Sequence, residues 1–126
     1  MDKYFEDKLI KDIGIKRYNH SLRVKDIAIE LAKIYNANIE QTKVAAILHD
    51  CGKIQEDIYL LKRVSDFDII LDDYMVYNHD LIHGALGAKI AEKEYEIEDR
   101  EILDAIYYHT IGRKNMTLLD KIIYIA

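Results

Sequence analysis

Four histidines and one His-Asp pair are the residues of this chain with metal chemistry to offer. His20, His49, His83 and His109 each fall on or beside the apolar face of a different predicted helix, and Asp50 directly follows His49. A single histidine on such a face is ordinarily a core residue satisfied by one hydrogen bond. Four of them buried with no common partner would leave several ring nitrogens without one, so a shared partner is expected. Imidazole nitrogen with carboxylate oxygen is a borderline ligand set that suits iron, manganese, zinc or cobalt at about 2.0–2.2 Å. His49 and Asp50 stand about 100° apart around a helix. At a helix end, however, both can turn toward one centre, and the two oxygens of Asp50 can bridge two ions.

A phosphate substrate brings several negative charges, and cations follow three of these ligands. Lys53 comes three residues after Asp50, beyond Gly52; Arg113 comes four after His109, beyond Gly112; Arg23 lies one turn after His20. Basic residues on helices are usually solvated. Lys53 and Arg113 differ in sitting in glycine-containing loops, where they can clamp phosphate oxygens and stabilise developing charge. His79, in the loop ahead of His83, reads as a surface residue. Ser21 abuts His20, but neighbours on a helix do not face each other, and a glycine-rich phosphate loop ending in lysine and a hydroxyl residue is missing. The expected nucleophile is therefore metal-bound water, whose pKa the ion lowers.

The elements that must position these groups are helices. The chain has 126 residues, half of them apolar, with no proline and five glycines. That is enough for one modest core, and the apolar spacings are helical, so one all-α domain over residues 1–126 is expected. A first helix runs from Asp2 to Ile13, with Phe5, Leu9 and Ile13 inward and Gly14 as its stop. A second runs from about Tyr18 to Tyr35, with His20, Val24, Ile27, Leu31 and Tyr35 as its inward stripe. Asn38 with Gln41 resembles a capping box for a helix that carries Val44, Ala45, Leu48 and His49 on one face and ends near Asp50. Between Lys53 and Asn78 the pattern is loose, with a short helix over Tyr59 to Val64. Periodicity returns from Leu81 to Tyr95, with His83, Gly87, Ile90 and Ala91 in register. Glu92 to Glu101 holds six acids against two bases and reads as a solvated turn, with Asp99 and Glu101 favouring the next helix start. That helix presents Ile102, Ala105, Ile106 and His109 together. Thr117 with Asp120 caps a last helix, Leu118 to Ala126, which stops while still apolar, so the boundary is expected to be a truncation.

The net charge of −5 gives no support to nucleic-acid binding. A cationic leader and an apolar stretch near eighteen residues are both missing, so a soluble, cytoplasmic protein without membrane contact is expected. The single cysteine, Cys51, excludes an internal disulfide or a thiolate zinc cluster and is expected to pack.

The blocks Asn-His-Ser-Leu-Arg-Val at 19–24, Leu-His-Asp-Cys-Gly-Lys at 48–53, His-Gly-Ala-Leu-Gly-Ala at 83–88 and His-Thr-Ile-Gly-Arg at 109–113 resemble the HD superfamily of metal-dependent phosphohydrolases. Within it they are similar to the bacterial YqeK-type symmetrical diadenosine tetraphosphate hydrolases. The resemblance implies an HD-domain helical bundle around a two-metal, di-iron centre, with His20, His49, His83 and His109 as ligands and Asp50 as the bridge. It implies hydrolysis of diadenosine tetraphosphate to two ADP, with Lys53, Thr110 and Arg113 along the phosphate path and Asp50, Lys53 and Arg113 carrying the catalysis. The family pattern places a further aspartate ligand directly after Ala126. Two other readings remain open: an HD phosphohydrolase acting on another nucleotide, and a nucleotide-binding regulator without turnover. A homodimer is compatible with the family, although no coiled-coil heptad run demands one.

Overall fold

Side chains with spare oxygens mark where the helices begin. Asp2, Asn38, Asp72, Asp99 and Thr117 sit in extended backbone, and each accepts a backbone N–H from the first turn that follows. In the computed structural model, which describes residues 2–126, they head five of the eight α-helices. The order is α1 (Lys3–Ile13), α2 (Ile15–Tyr35), α3 (Ile39–Leu48), α4 (Asp57–Asp66), α5 (Asp73–Tyr77), α6 (Ile82–Glu94), α7 (Arg100–Tyr108) and α8 (Leu118–Ile125). A 3-10 turn at His79–Leu81 leads into α6, and no strand occurs among the described residues. The all-α expectation holds.

The central element is α3, which packs against α2, α7 and α8. Its Thr42, Ala45, Ala46, Ile47 and Leu48 are all buried, so apolar character runs round the whole helix. Outside it, α1 lies on α2, and α6 lies on α7. Leu9 of α1 is fully buried while Phe5 and Ile13 are partly so, as their spacing of four requires. Gly14 closes α1 at φ +85°, a conformation that favours glycine.

Helix α2 corrects the sequence reading in two ways. It begins at Ile15, not at Tyr18, which brings Arg17 into its first turn. Its buried residues are Ser21, Val24, Ala28 and Ala32, whereas Ile27 is 51% and Tyr35 59% exposed. The small alanines allow α3 to approach closely, and that close pairing outweighs burial of the larger side chains. His20 consequently stands at the edge of the buried face instead of in its middle.

Two further expectations change. Asn38 does cap α3, but Gln41 does not answer with its side chain; its amide donates instead to Asp99 and Glu101 at the head of α7. The acidic run at 92–101 is not simply solvated. Glu94 is in the last turn of α6, where it accepts from Lys8 of α1 and Arg63 of α4, and Tyr95 is buried. At the far end, Thr117 and Asp120 form the full reciprocal capping box. The loose segment after Lys53 resolves into α4, somewhat longer than expected, and the short α5 capped by Asp72. No described helix is long and apolar enough to cross a membrane.

Cys51 and Tyr95 set an alkaline limit on stability. Burial, with Asp50 beside it, pushes the Cys51 thiol well above its ordinary 9.0, and its Sγ–H donates to the Gly87 carbonyl at 3.2 Å. Burial, with the Asp12 carboxylate at 2.9 Å, likewise pushes the Tyr95 phenol above its ordinary 10.0. The unfolded chain releases both protons near those ordinary values while the folded chain keeps them, so above about pH 9 the unfolded state binds fewer protons and stability must fall as pH rises. The urea midpoint is expected to decline above about pH 9, and less so in Tyr95→Phe. An equal decline in that variant would show that Tyr95 is not involved.

Candidate metal centre

Two close backbone crossings assemble the site. A Cβ on Gly52 would lie 2.6 Å from the His83 carbonyl oxygen and 2.7 Å from Gly87 Cα, and closer still to Gly87 N. The turn after α3 therefore presses on α6, which brings Asp50 against His83. A Cβ on Gly84 would likewise run into the Tyr107 carbonyl, so α6 and α7 meet nearly backbone to backbone. The His83 and His109 rings end with centroids 4.8 Å apart.

His49 and His109 are the C-terminal caps of α3 and α7, and His83 is in the first turn of α6. In each of these three, Nδ1 faces a carbonyl three residues back: Ala46 at 2.6 Å, Asp80 at 2.7 Å and Ile106 at 2.6 Å. A carbonyl can only accept, so each Nδ1 carries a proton and donates it, which leaves the Nε2 of each ring facing the centre.

Those Nε2 atoms and that of His20 converge on Asp50. Its Oδ1 lies 3.2 Å from His83 Nε2 and 3.5 Å from His109 Nε2, while its Oδ2 lies 3.4 Å from His49 Nε2 and 3.6 Å from His20 Nε2. The carboxylate is 6% exposed, and although burial opposes ionisation, the surrounding imidazoles of His109, His49 and His83 hold it well below the usual carboxylate range. Burial, working against the pull of Asp50, lowers His109 and His20 and favours their neutral forms.

This donor set fits metal ions. With its Nδ1–H given to a carbonyl, a neutral imidazole offers its Nε2 lone pair to an ion, and His83 Nε2 and His109 Nε2 stand 3.0 Å apart beside the Asp50 carboxylate. Positive charge among these atoms, a proton or a metal ion, offsets the repulsion of their lone pairs. Ligands about 2.0–2.2 Å from one ion stand roughly 3.0–3.5 Å from each other, which is the range of these separations. Two overlapping groups result, His20 with His49 and Asp50, and Asp50 with His83 and His109, each with its ligand atoms within 4.8 Å of one another.

The other expected site residues scatter. Lys53 stands at the rim, its Nζ 3.2 Å from Asp80 Oδ1, and borders a cleft with His79, Asp80 and His83. Thr110 donates to the Leu81 carbonyl at 3.1 Å and so ties the end of α7 to the head of α6. Arg113 donates from Nε to Asp120 Oδ2 at 2.8 Å and from Nη1 to Asp104 Oδ2 at 3.4 Å, with its guanidinium over the Tyr108 ring. Arg23 is exposed and makes no ion pair among the described residues. Of these four, Lys53 borders a cleft together with His83, a candidate metal ligand. His79 pairs with Asp57 at 3.3 Å at the surface, and Ser21 is buried with no partner for its hydroxyl among the described residues.

Sequence reasoning missed Arg17, whose Nη1 reaches Asp50 Oδ2 at 3.3 Å. The available signal was its place three residues before His20, which counts only once α2 is known to start early. It also read Asp120 purely as a cap, although Asp120 is the buried anion that engages Arg113.

The HD domain family model matches residues 17–126. The chain belongs to the HD domain family. Within that family it is 42% identical to the symmetrical bis(5'-nucleosyl)-tetraphosphatase of Staphylococcus aureus, over 88% of this chain and 57% of the relative. It is 38% identical to the protein of the same name from Bacillus subtilis, over 87% of this chain and 59% of the relative. This HD chain thus spans less than three fifths of the length of these two curated relatives. The crystal structure of a predicted HD superfamily hydrolase involved in NAD metabolism from Clostridium acetobutylicum superposes with a TM-score of 0.90 at 41% identity, over 99% of this chain and 67% of that one. HD domains are metal-dependent, in agreement with the His/Asp cluster.

Proposed function

We propose that this chain carries the metal site of a hydrolase that splits diadenosine tetraphosphate symmetrically into two ADP. The observation that supports this most is Asp50, whose two oxygens each face a separate pair of imidazoles, in a chain whose relatives are named for that activity. In this reading His20, His49 and Asp50 would hold one ion and Asp50, His83 and His109 a second, with Asp50 shared between them. Iron is the first choice, and manganese, cobalt or zinc suit the same donors. When bound, the ions supply Lewis acidity and water acidified enough to attack phosphorus. Water oxygen adds to an inner phosphorus and gives up a proton to solvent, the bond from that phosphorus to the bridging oxygen breaks, and the bridging oxygen leaves with the second ADP.

The protein's own part is to fix the imidazoles through their Nδ1–H bonds and to keep Asp50 ionised. Lys53 meets phosphate oxygens at the rim, exchanging the exposed Asp80 for substrate. Arg23, Thr110 and Arg113 are assigned to the outer reach of the polyphosphate, Arg113 by leaving Asp104 and turning on its Asp120 contact. The reading places the protein in the cytoplasm with its nucleotide substrate. It also includes a homodimer, for which the outward side of α2 with Ile27, Ile34 and Tyr35 is available.

Product analysis on the metal-loaded protein tests the reaction. Two ADP are expected, with turnover lost on chelation and restored by metal. Release of ATP with AMP would reject the symmetrical cut, and faster turnover of nucleoside monophosphates or cyclic dinucleotides would assign the site to another nucleotide.

A further inference from the structure

Arg17 has no role in the reading above, yet it is the one lysine or arginine in direct contact with the histidine–aspartate cluster among the described residues. It lies on the first turn of α2, three residues ahead of His20, so the two side chains share a helix face. Its Nη1 stands 3.3 Å from Asp50 Oδ2, the oxygen that also faces His20 and His49. The side chain is one-third exposed and opens onto a cleft of about 240 Å³ that it shares with Lys53, Ile54 and Tyr59. Two acids also border this cleft. Asp12 is already taken by Lys8 and the Tyr95 hydroxyl, each at 2.9 Å, and Glu56 sits at the exposed end.

We propose that Arg17 binds substrate phosphate and that this cleft seats one nucleoside diphosphate half of the substrate, its phosphates between Arg17 and Lys53 and its base on the Tyr59 ring. The inference rests on the proposed function in taking a nucleotide as substrate. Charge is the first reason. Asp50 is the only anion paired with Arg17 among the described residues, and four imidazoles surround the same carboxylate. As a metal ligand Asp50 has less charge to offer, and a guanidinium left beside a cationic centre needs another anion.

Geometry is the second reason. Arg17 uses one N–H of its five on Asp50, leaving the planar fork free for a phosphate. Lys53 need only release Asp80, whose side chain is 69% exposed. Tyr59 opens α4 with its ring exposed and no aromatic neighbour among the described residues, which suits stacking on a base. Arg113, by contrast, has its donors engaged by Asp120 and Asp104.

Calorimetry of ADP and, separately, of inorganic phosphate on the metal-loaded protein tests this, with metal content assayed alongside. Arg17→Met is expected to weaken both ligands about ten- to a hundredfold with metal content unchanged, the factor of a lost charge-assisted hydrogen bond. Arg17→Lys should recover part of the loss. Tyr59→Ala should weaken ADP about tenfold and leave phosphate alone. Unchanged ADP affinity in Arg17→Met overturns the proposal, as does loss of metal with it, which would make Arg17 a support for Asp50 only. Turnover does not enter these readouts. ADP binding that depends on Arg17, in a protein that does not cut symmetrically, would keep the clamp and reject the substrate. Symmetrical cleavage with ADP affinity indifferent to Arg17 would do the reverse.

Discussion

Asp50→Ala is expected to empty both halves of the metal centre and to lower turnover of the metal-treated protein by well over about a hundredfold, because changes one shell further out already cost ten- to a hundredfold. Each pair of imidazoles shares this one carboxylate: His83 and His109 face Oδ1, and His20 and His49 face Oδ2. Without it, either half would have two neutral nitrogens and no anion to offset a cation's charge. Asp50→Asn separates charge from shape, since the amide has nearly the same volume but no net charge and only one acceptor oxygen. It should also lose metal while the fold, followed by far-ultraviolet circular dichroism, is kept. Element analysis after dialysis against the metal, paired with initial rates, provides the check. Metal content and rate both close to those of the unaltered protein in Asp50→Ala would sink the centre described above.

The second large effect is on stability. Gly52→Ala is expected to destabilise the fold by about 3 kcal/mol or more, at or beyond the upper end of ordinary overpacking. The three atoms nearest the new methyl all belong to backbone, namely Gly87 N, the His83 carbonyl oxygen and Gly87 Cα. Backbone cannot rotate out of the way as a side-chain tip can, so the α3 turn and α6 must separate. That separation also draws Asp50 from His83, so metal affinity should fall along with stability. Gly112→Ala is the control: its φ of +67° makes an alanine strained, yet the nearest atom to the added Cβ is Tyr124 Cε2 at 3.6 Å. Strain without a clash should cost about 1 kcal/mol. Urea unfolding with equal slopes reads both, and a Gly52→Ala midpoint no lower than that of Gly112→Ala would refute the close crossing as the organiser of the site.

Much of this was legible in the residues themselves. Helix ends depend on groups within three or four positions of each other, and Gly14, Asn38, Asp99 and Thr117 mark them in the chain as they do in the fold. The candidate metal ligands could be named as well, because four imidazoles on or beside apolar helix faces call for a common partner, and the fold gathers all four around Asp50.

What only the tertiary structure decided was rotation and pairing. Helix α2 turns its alanines inward, since α3 can approach small side chains more closely than Ile27 or Tyr35 would allow. Which cation meets the metal cluster depended on competing anions far along the chain. Asp120 and Asp104 engage Arg113 at the side of α7, Asp80 holds Lys53 at the rim, and Arg17 is left against Asp50. The four candidate histidines and the His-Asp pair were evident from the sequence, because the capacity to ligate is a property of a residue. The cation beside them was not, because an ion pair is a property of two residues whose distance only folding sets.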